Sequence, residues 1–366
     1  MFLTATNIVH YLLAKGLVTT ESVVDGDFIV SEAGRRNRNF MITRNQSPGI
    51  FVKQIKNFEP ETIATIQQEG SCYRFINSSP LYEPIKRLMP PFIDYDDTRY
   101  ILTLELLPGS ENLNEYHNRL ESFPDSIGRM IGEGIGTYHS DVGRMFSNTP
   151  NQTLFPKKAP WILSFHQSNG AMFQQLSQGN SKLLELLHQY PEFQSKLDEL
   201  RNEWQYDSLI HGDIKWDNFI VFNNEDEKPE FRIIDWELVD FGDSCWDVGG
   251  VFQAYLFYWI LSMPFENEDT ISRSYQKAKF KIEEMHPSIK AFWDSYTKSC
   301  RMNNVEKLRT LSRSIRFGAA RMVQTAFEYL FYSQGLNNRT LALLQVSFNI
   351  LKSPEKAASA LLGLKL

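Results

Sequence analysis

Cysteine is scarce in this sequence, with only Cys72, Cys245 and Cys300 among 366 residues. Their number is odd, their spacings are wide and no CxxC pair occurs, which argues against a disulfide framework and against a cysteine-based metal site. We therefore expect a protein of a reducing, cytoplasmic compartment.

Positive charge is also in short supply, because 38 lysines and arginines face 44 aspartates and glutamates, for a net charge of -6. A protein that binds nucleic acid or an anionic membrane carries an extended basic surface. The basic cluster that stands out, Arg35, Arg36 and Arg38, is confined to one turn. We expect neither a nucleic-acid partner nor a membrane partner.

Long apolar runs are missing as well. The most apolar stretch, Val251 to Phe265, is interrupted by Gln253, Ser262 and Pro264 and falls short of the roughly 18 residues of a membrane span. It predicts a buried helix. The N-terminus, MFLTATNIVHYLLAKGL, lacks the basic leading region and cleavage site of a signal peptide and predicts a short amphipathic helix.

The pattern that is present changes along the chain. Short alternating runs at about 27–31, 39–44 and 50–55 predict an antiparallel meander, and a helix from Glu59 to Ile76 and a strand from Arg99 to Leu106 follow. Beyond them, helical patterns dominate apart from one hairpin. The sequence thus predicts an α+β protein with a small sheet followed by a mainly helical region.

The strongest chemical signal is LIHGDIKWDNFIVF (209–222) followed by FRIIDWE (231–237). Two apolar runs flank the polar turn NNEDEKPE and predict a hairpin. Asn218 and Asp235 lie equally far from the centre of that turn, which places them side by side, with Asp213 in the preceding loop. Oxygen ligands of this kind suit Mg²⁺, which shares the oxygens of a phosphate. The pattern predicts a metal–phosphate site.

The segment HGDIKWDN resembles the HGDxxxxN catalytic loop of the aminoglycoside phosphotransferase and choline kinase superfamily, which is related to protein kinases. The resemblance covers about residues 27–250 and implies a two-lobed, protein-kinase-like fold. It implies that Asp213 accepts the proton of the acceptor hydroxyl, and that Asn218 and Asp235 hold Mg²⁺ on the nucleotide phosphates. Lys215 resembles the lysine of the protein-kinase HRDLK loop and is expected to contact the transferred phosphoryl group.

Two neighbouring motifs bear on these assignments. Asp240-Phe241-Gly242 matches the protein-kinase metal motif DFG, but Asp240 lies five residues beyond Asp235 and breaks the symmetry with Asn218, so we favour Asp235. FGDSCWDVGG (241–250) resembles the family's GDxxxD segment, which implies that Asp247, together with His211, braces the catalytic loop. The alternative for Asp247 is a helix N-cap.

The resemblance also implies a nucleotide site in the N-terminal region. Lys53 stands on a strand, and Glu69 of the following helix is expected to hold it towards the phosphates. The turn before the second strand is poor in glycine, so Asn37 and nearby amides are expected to contact phosphate. The backbone from Glu105 to Leu107 is expected to meet the adenine edge.

From these features we expect four segments: an N-terminal helical extension (1–26), an N-lobe (27–107), a C-lobe core with the catalytic loop and metal hairpin (108–250) and a helical acceptor-binding subdomain (251–366). The expected function is ATP- and Mg²⁺-dependent phosphoryl transfer to a small-molecule hydroxyl, such as that of an aminoglycoside, choline or a sugar. GTP as the donor stays open.

Three alternatives to this function remain. In the first, the acceptor is a Ser or Thr of a biosynthetic peptide; in the second, the protein is a catalytically silent kinase-like scaffold. In the third, the protein is a metal-dependent hydrolase that uses His211, Asp213 and Asp217. The hydrolase explains neither Lys53 nor the hairpin.

Overall fold

The computed structural model describes residues 2–34, 37–45, 47–107, 109–142, 155–167, 176–224, 227–265 and 271–365. They divide into two compact units. The first comprises Met1–Tyr116 and Asp217–Val239, and the second comprises His117–Trp216 and Asp240–Leu366.

A five-stranded antiparallel sheet organises the first unit, in the order β1-β2-β3-β5-β4. It confirms the predicted meander to within about two residues at each strand end. Helices α1 to α4 belong to the same unit, together with a 3₁₀ turn at Pro80–Tyr82. The bounds are α1 Ile8–Ala14, α2 Thr20–Val24, β1 Phe28–Glu32, β2 Arg38–Arg44, β3 Gly49–Gln54, α3 Pro60–Ile76, α4 Glu83–Lys86, β4 Phe92–Asp96 and β5 Ile101–Leu106.

Strand β4 has no counterpart among the sequence predictions. Its sequence, FIDYD, follows Pro90-Pro91 and carries two aspartates, which are disfavoured in strands. Pairing with β5 and burial of Tyr95 provide the tertiary contacts that override this local preference.

The N-terminal segment is part of the first unit's core. Leu3, Ile8 and Leu12 are fully buried and pack in one cluster with Phe40 and Val52 of the sheet. The segment expected to be a separate extension at 1–26 is therefore integral to this unit, because its apolar face covers the sheet.

The predicted hairpin is confirmed and belongs to the first unit. Strands β8 (Phe219–Asn223) and β9 (Pro229–Ile233) pair antiparallel, and β6 (Glu111–Asn112) adds to the other side of β8. The backbone N–H of Ile233 donates to the carbonyl of Leu88 at 2.6 Å. These contacts separate the hairpin from the remainder of the segment 108–250 that we expected to form one C-lobe core.

The second unit is mainly helical, with a two-stranded ladder of β7 (Ser208–Ile210) and β10 (Asp240–Gly242). Short helical turns occur in this unit at Tyr138–Val142 and Trp161–Gln167, at the unit boundary at Trp216–Asn218, and in the first unit at Trp236–Leu238. The helices are α5 Leu113–Leu120, which crosses the boundary between units, α6 Asp125–Thr137, α7 Gln178–Gln189, α8 Pro191–Asn202, α9 Ser244–Leu261, α10 Ile271–Gln276, α11 Ile282–Ser299, α12 Asn304–Tyr329, α13 Asn338–Lys352 and α14 Pro354–Leu362.

Helix α9 contains most of the apolar stretch that begins at Val251, and nearly all its side chains are buried, which confirms the predicted buried helix. No helix among the described residues has both the length and the apolar composition needed to cross a bilayer.

Helix α6 lies unusually close to α11. Gly128 and Gly132 face α11 one turn apart, and a Cβ atom at either position would lie 2.1–2.2 Å from a carbonyl oxygen of that helix. Only glycine permits this approach. The close packing sets the position of Tyr138 and His139, which follow directly at the end of α6.

Candidate active site

Lys53 is the centre of a charged cluster in the first unit. It lies on β3, is 6% exposed, and its Nζ is 2.7 Å from Oε2 of Glu69. It also forms an ion pair with Asp235 and lies 3.9 Å from Oε2 of Glu237. Glu69 shares a buried face of α3 with Ile66 at i−3, so the helix directs this carboxylate inward. The structure therefore brings Lys53, Glu69 and Asp235 together.

The cluster contains more negative than positive charge. Burial by itself would lower the pKa of Lys53, but Glu69, Asp235 and Glu237 outweigh it and raise the pKa above its ordinary value. Burial raises the pKa of Glu69 to about 7, against the opposing effect of Lys53. One cation thus faces three carboxylates, and a further cation would relieve the excess.

The hairpin places Asp235 next to, but not directly opposite, Asn218. Phe219 pairs with Ile233, and the N–H of Ile234 donates to the carbonyl of Asn218 at 2.9 Å. The predicted register was therefore wrong by one residue, because the turn is centred half a residue earlier than its sequence suggests. Asp235 has a left-handed backbone conformation, with φ 66° and ψ 54°, and the chain turns sharply there at the end of the strand.

The donor set of this region fits Mg²⁺. The Asp235 carboxylate is one-third exposed, whereas Asn218 is buried at 4% exposure. The described residues contain no group of three or more His, Cys, Asp and Glu side chains arranged to enclose a metal ion. One carboxylate and one amide oxygen beside excess negative charge match an ion that keeps waters and substrate oxygens as its other ligands.

The remaining nucleotide-site predictions concern the sheet. Asn37 is buried at 7% exposure. The side chain of Arg38 stacks on Phe2 at 4.9 Å from the ring centroid, while Arg35 and Arg36 lie outside the described residues. At the end of β5, the N–H of Glu105 donates to Pro91, and the carbonyl of Leu107 accepts from Ser110 Oγ at 2.8 Å.

A second charged cluster surrounds Asp213 in the other unit. Lys215 Nζ lies 2.6 Å from Oδ2 of Asp213, and Arg321 Nη2 of α12 lies 3.2 Å from Oδ1. Gly212, at φ 82°, lets the loop turn in a backbone conformation that other residues rarely adopt. Here one carboxylate faces two cations, the reverse of the Lys53 cluster.

Charge keeps the Asp213 carboxylate ionised. Burial would raise its pKa, but Lys215 and Arg321 together with His211 outweigh burial and hold the pKa well below its usual range. Burial would lower the pKa of Lys215, but the negative charge of Asp213 outweighs burial and raises it, and Glu328 adds to that effect.

Asp247 connects α9 to the backbone of the Asp213 loop. Its Oδ2 accepts from the N–H of His211 at 2.7 Å, and its Oδ1 accepts from the N–H of Gly212 at 3.0 Å. The hydroxyl of Tyr138 donates to the same carboxylate. The N-cap of α9 is Asp243, so the capping alternative for Asp247 was wrong.

Asp240 is engaged in backbone contacts of its own unit. Its carboxylate accepts from the N–H groups of Lys157 at 2.7 Å and Lys158 at 2.9 Å, and from that of Phe241. These bonds give Asp240 a structural role and agree with the preference for Asp235.

Arg321, Tyr138 and Glu237 were not selected from the sequence. Glu237 offered a local signal, since it closes the IDWE motif. The other two lie 108 residues after and 109 residues before the groups that they contact. No local pattern marks such positions.

The chain was also compared with known proteins. A model of the phosphotransferase enzyme family matches residues 29–272. Comparison with curated protein sequences finds no significant match.

Three solved structures share the fold at low identity. Plasmodium vivax ethanolamine kinase is 11% identical, with a TM-score of 0.59 over 96% of this chain and 91% of that one. Aminoglycoside 2'-phosphotransferase-IIIa in its GDP complex is 14% identical, with a TM-score of 0.52 over 96% and 98%. LicA in complex with AMP is 13% identical, with a TM-score of 0.51 over 95% and 98%. These likenesses confirm the expected protein-kinase-like α+β fold.

Proposed function

The chain belongs to the phosphotransferase enzyme family and acts on an alcohol group, and on that premise we propose that it transfers the terminal phosphoryl group of Mg²⁺·ATP to a small-molecule hydroxyl. GTP is the alternative donor. The observation that carries the proposal is the pair formed by Asp213 and Lys215, 2.6 Å apart. It combines a carboxylate suited to orient a hydroxyl with a cation suited to neutralise phosphoryl oxygens.

The first unit supplies the donor-binding residues in this proposal. Lys53, which Glu69 holds in place through an ion pair, binds the nucleotide phosphates, and Asn37 adds a phosphate contact. Asn218 and Asp235 hold Mg²⁺, which when bound neutralises charge on the phosphate oxygens. The backbone from Glu105 to Leu107 meets the adenine edge.

The surroundings of Lys215 favour an acceptor that carries an amine. Glu328 is near enough to raise the pKa of Lys215. The next residue, Tyr329, is 46% exposed, and its ring lies 5.5 Å from that of Phe257. A carboxylate attracts an ammonium group by its charge, and the exposed ring of Tyr329 offers a second surface that can bind a cation. The other aromatic residues of this stretch, Tyr255, Tyr258 and Trp259, are buried, as expected for core positions.

The described residues offer less support for the peptide alternative. A basic turn such as 35–38 could bind a peptide acceptor, but Arg38 there stacks on Phe2. Arg35 and Arg36 of that turn lie outside the described residues. A peptide acceptor is therefore an outcome of the test below.

The test is incubation with γ-labelled ATP or GTP and Mg²⁺, with ethanolamine, choline, aminoglycosides and sugars offered beside Ser- and Thr-containing peptides. We expect stable phosphate on an amine-bearing alcohol, and none with Asp213→Asn. Phosphate on peptides alone would overturn the acceptor class. Absence of nucleotide binding would instead support the silent scaffold.

We further propose that the protein acts in the reducing cytoplasm. All three cysteines are free thiols, and Cys72 and Cys245 are buried. Localisation of a tagged full-length chain, with thiol titration of the protein isolated from cells, tests this expectation.

A further inference from the structure

Arg321 makes more contacts to the Asp213 loop than any role in helix packing requires. Its Nη1 donates to the carbonyl of Gly212 at 3.0 Å, and its Nη2 donates to the carbonyl of Ile214 at 2.9 Å and to Oδ1 of Asp213 at 3.2 Å. A single guanidinium therefore binds three successive residues of the loop. Its planar geometry suits several acceptors held in fixed positions.

Trp246 supports this arrangement from α9. The Arg321 guanidinium lies over its ring, 5.1 Å from the centroid, and the indole Nε1–H donates to the same carbonyl of Gly212 at 2.8 Å. The Arg321 side chain is 5% exposed. Its orientation is thus determined from both sides by buried groups.

The two cations on Asp213 differ in their freedom to move. The side chain of Lys215 is 38% exposed and forms an ion pair with Asp213. Arg321, by contrast, would have to give up two backbone carbonyls in order to leave. Each cation holds a different carboxylate oxygen, Lys215 holding Oδ2 and Arg321 holding Oδ1.

We propose that Arg321 is the positioning residue of the transfer reaction, which anchors the loop and one oxygen of Asp213 while Lys215 is released to the phosphoryl group. This inference rests on the proposed function. With Lys215 gone, Oδ2 is exposed to the acceptor hydroxyl. The hydroxyl proton passes to Oδ2 as the new O–P bond forms and the bond to the departing nucleoside diphosphate breaks.

The charged and titratable groups that act on Asp213 include Lys215 and His211 on its own loop and Arg321 on α12. Of these three groups, Arg321 is the one whose charge does not depend on pH once Lys215 is released. It would therefore keep Asp213 ionised and in one rotamer during turnover.

The experiment compares Arg321→Gln and Arg321→Lys with the unaltered full chain. Arg316→Gln is the matched control, because it removes an arginine from the same helix that pairs with Glu203 rather than with the loop. The readouts are the dissociation constant for Mg²⁺·ATP, kcat and KM for the acceptor found by the screen, the acidic limb of the kcat profile, and hydrogen exchange at residues 211–215.

For Arg321→Gln we expect kcat to fall by about 10²-fold, the cost of a misplaced reacting group, with little change in the dissociation constant for Mg²⁺·ATP. The acidic limb should move to higher pH and the loop amides should exchange faster. Arg321→Lys keeps the charge and should recover part of kcat, and Arg316→Gln should resemble the unaltered chain.

An unchanged kcat in folded Arg321→Gln, or an equal loss in Arg316→Gln, would overturn the inference. If Arg321→Gln does not fold, an Arg321→Lys variant with normal kcat and unchanged hydrogen exchange at residues 211–215 would do the same. Failure of the unaltered chain to transfer phosphate would reject the proposed function instead, and the exchange measurement would still report whether Arg321 anchors the loop.

Discussion

The two charged clusters have opposite compositions. Around Lys53, one cation faces Glu69, Asp235 and Glu237, whereas around Asp213, one carboxylate faces Lys215 and Arg321. Each cluster is partly or fully buried, so its residual charge is poorly screened by water.

The difference indicates what each cluster can bind. Excess negative charge favours a divalent cation, and excess positive charge favours an anionic phosphoryl group. A phosphotransferase that uses Mg²⁺ and a nucleotide needs both. The predictions below test this division, from the largest expected effect to the smallest.

Removal of the carboxylate from the positive cluster should have the largest effect. Asp213→Asn removes the group that we propose orients the acceptor hydroxyl, and we expect kcat to fall by about 10²- to 10⁴-fold. The dissociation constant for Mg²⁺·ATP should stay nearly constant, which calorimetry would measure. Near-normal turnover in this variant would remove Asp213 from the reaction.

Removal of Lys215 from the same cluster should have the next largest effect. Lys215→Ala is expected to lower kcat by about 10²- to 10³-fold, as for the loss of one preorganised donor to a developing charge. Steady-state kinetics would show a smaller change in ATP affinity. Lys182→Ala, which removes an exposed lysine bound to the carbonyl of Gln334, is the control. Equal kinetics in the two variants would contradict the role of Lys215.

A change in the negative cluster should act on binding instead. Asp235→Asn removes the proposed metal ligand and should weaken Mg²⁺-dependent nucleotide binding by about 10- to 100-fold or more. Loss of a residue that only hydrogen-bonds to a metal ligand already costs that much affinity. Asp240→Asn is the comparison, because Asp240 binds backbone N–H groups. If Asp240→Asn weakened binding and Asp235→Asn did not, the choice between the two motifs would be wrong.

The smallest effect concerns pH. The pKa of Glu69 is raised to about 7 from an ordinary 4.5, because the buried carboxyl resists ionisation. The folded protein therefore holds a proton that the unfolded chain releases, so stability should fall as pH rises through this window. Between pH 6 and pH 8 we expect a loss of about 1 kcal/mol from this group.

Urea unfolding at both pH values would measure that loss, and Glu69→Gln should abolish it. Glu61→Gln, on the exposed face of the same helix, should retain it. The same slope in all three proteins would show that the pKa of Glu69 is not raised in the folded protein.

Local patterns were sufficient for much of this structure. Strands β1 to β3, helix α3 and the hairpin of β8 and β9 agree with the alternation of apolar residues, because period and turn residues are properties of adjacent positions. The motif around Asp213 likewise lies within eight consecutive residues. Strand β4 was missed because its aspartates oppose the conformation that pairing with β5 imposes.

The candidate site was only partly accessible to the same reasoning. Asn218 and Asp235 were placed near each other by symmetry about the turn, but the actual pairing is Asn218 with Ile234, and the left-handed backbone of Asp235 turns the chain at that point. A turn's exact centre depends on its hydrogen bonds, which composition does not reveal.

By itself, the sequence determined the fold class, the order of the main strands and helices along the chain, and the residue types that can bind metal and phosphate. Only the tertiary structure decided which charges meet. Arg321 contacts Asp213 from a position 108 residues later in the sequence. Glu237 lies still farther from Lys53 in the sequence and is close to it in the folded protein. Electrostatic energy depends on distance in space and on burial, so the balance of charge in each cluster exists only after folding.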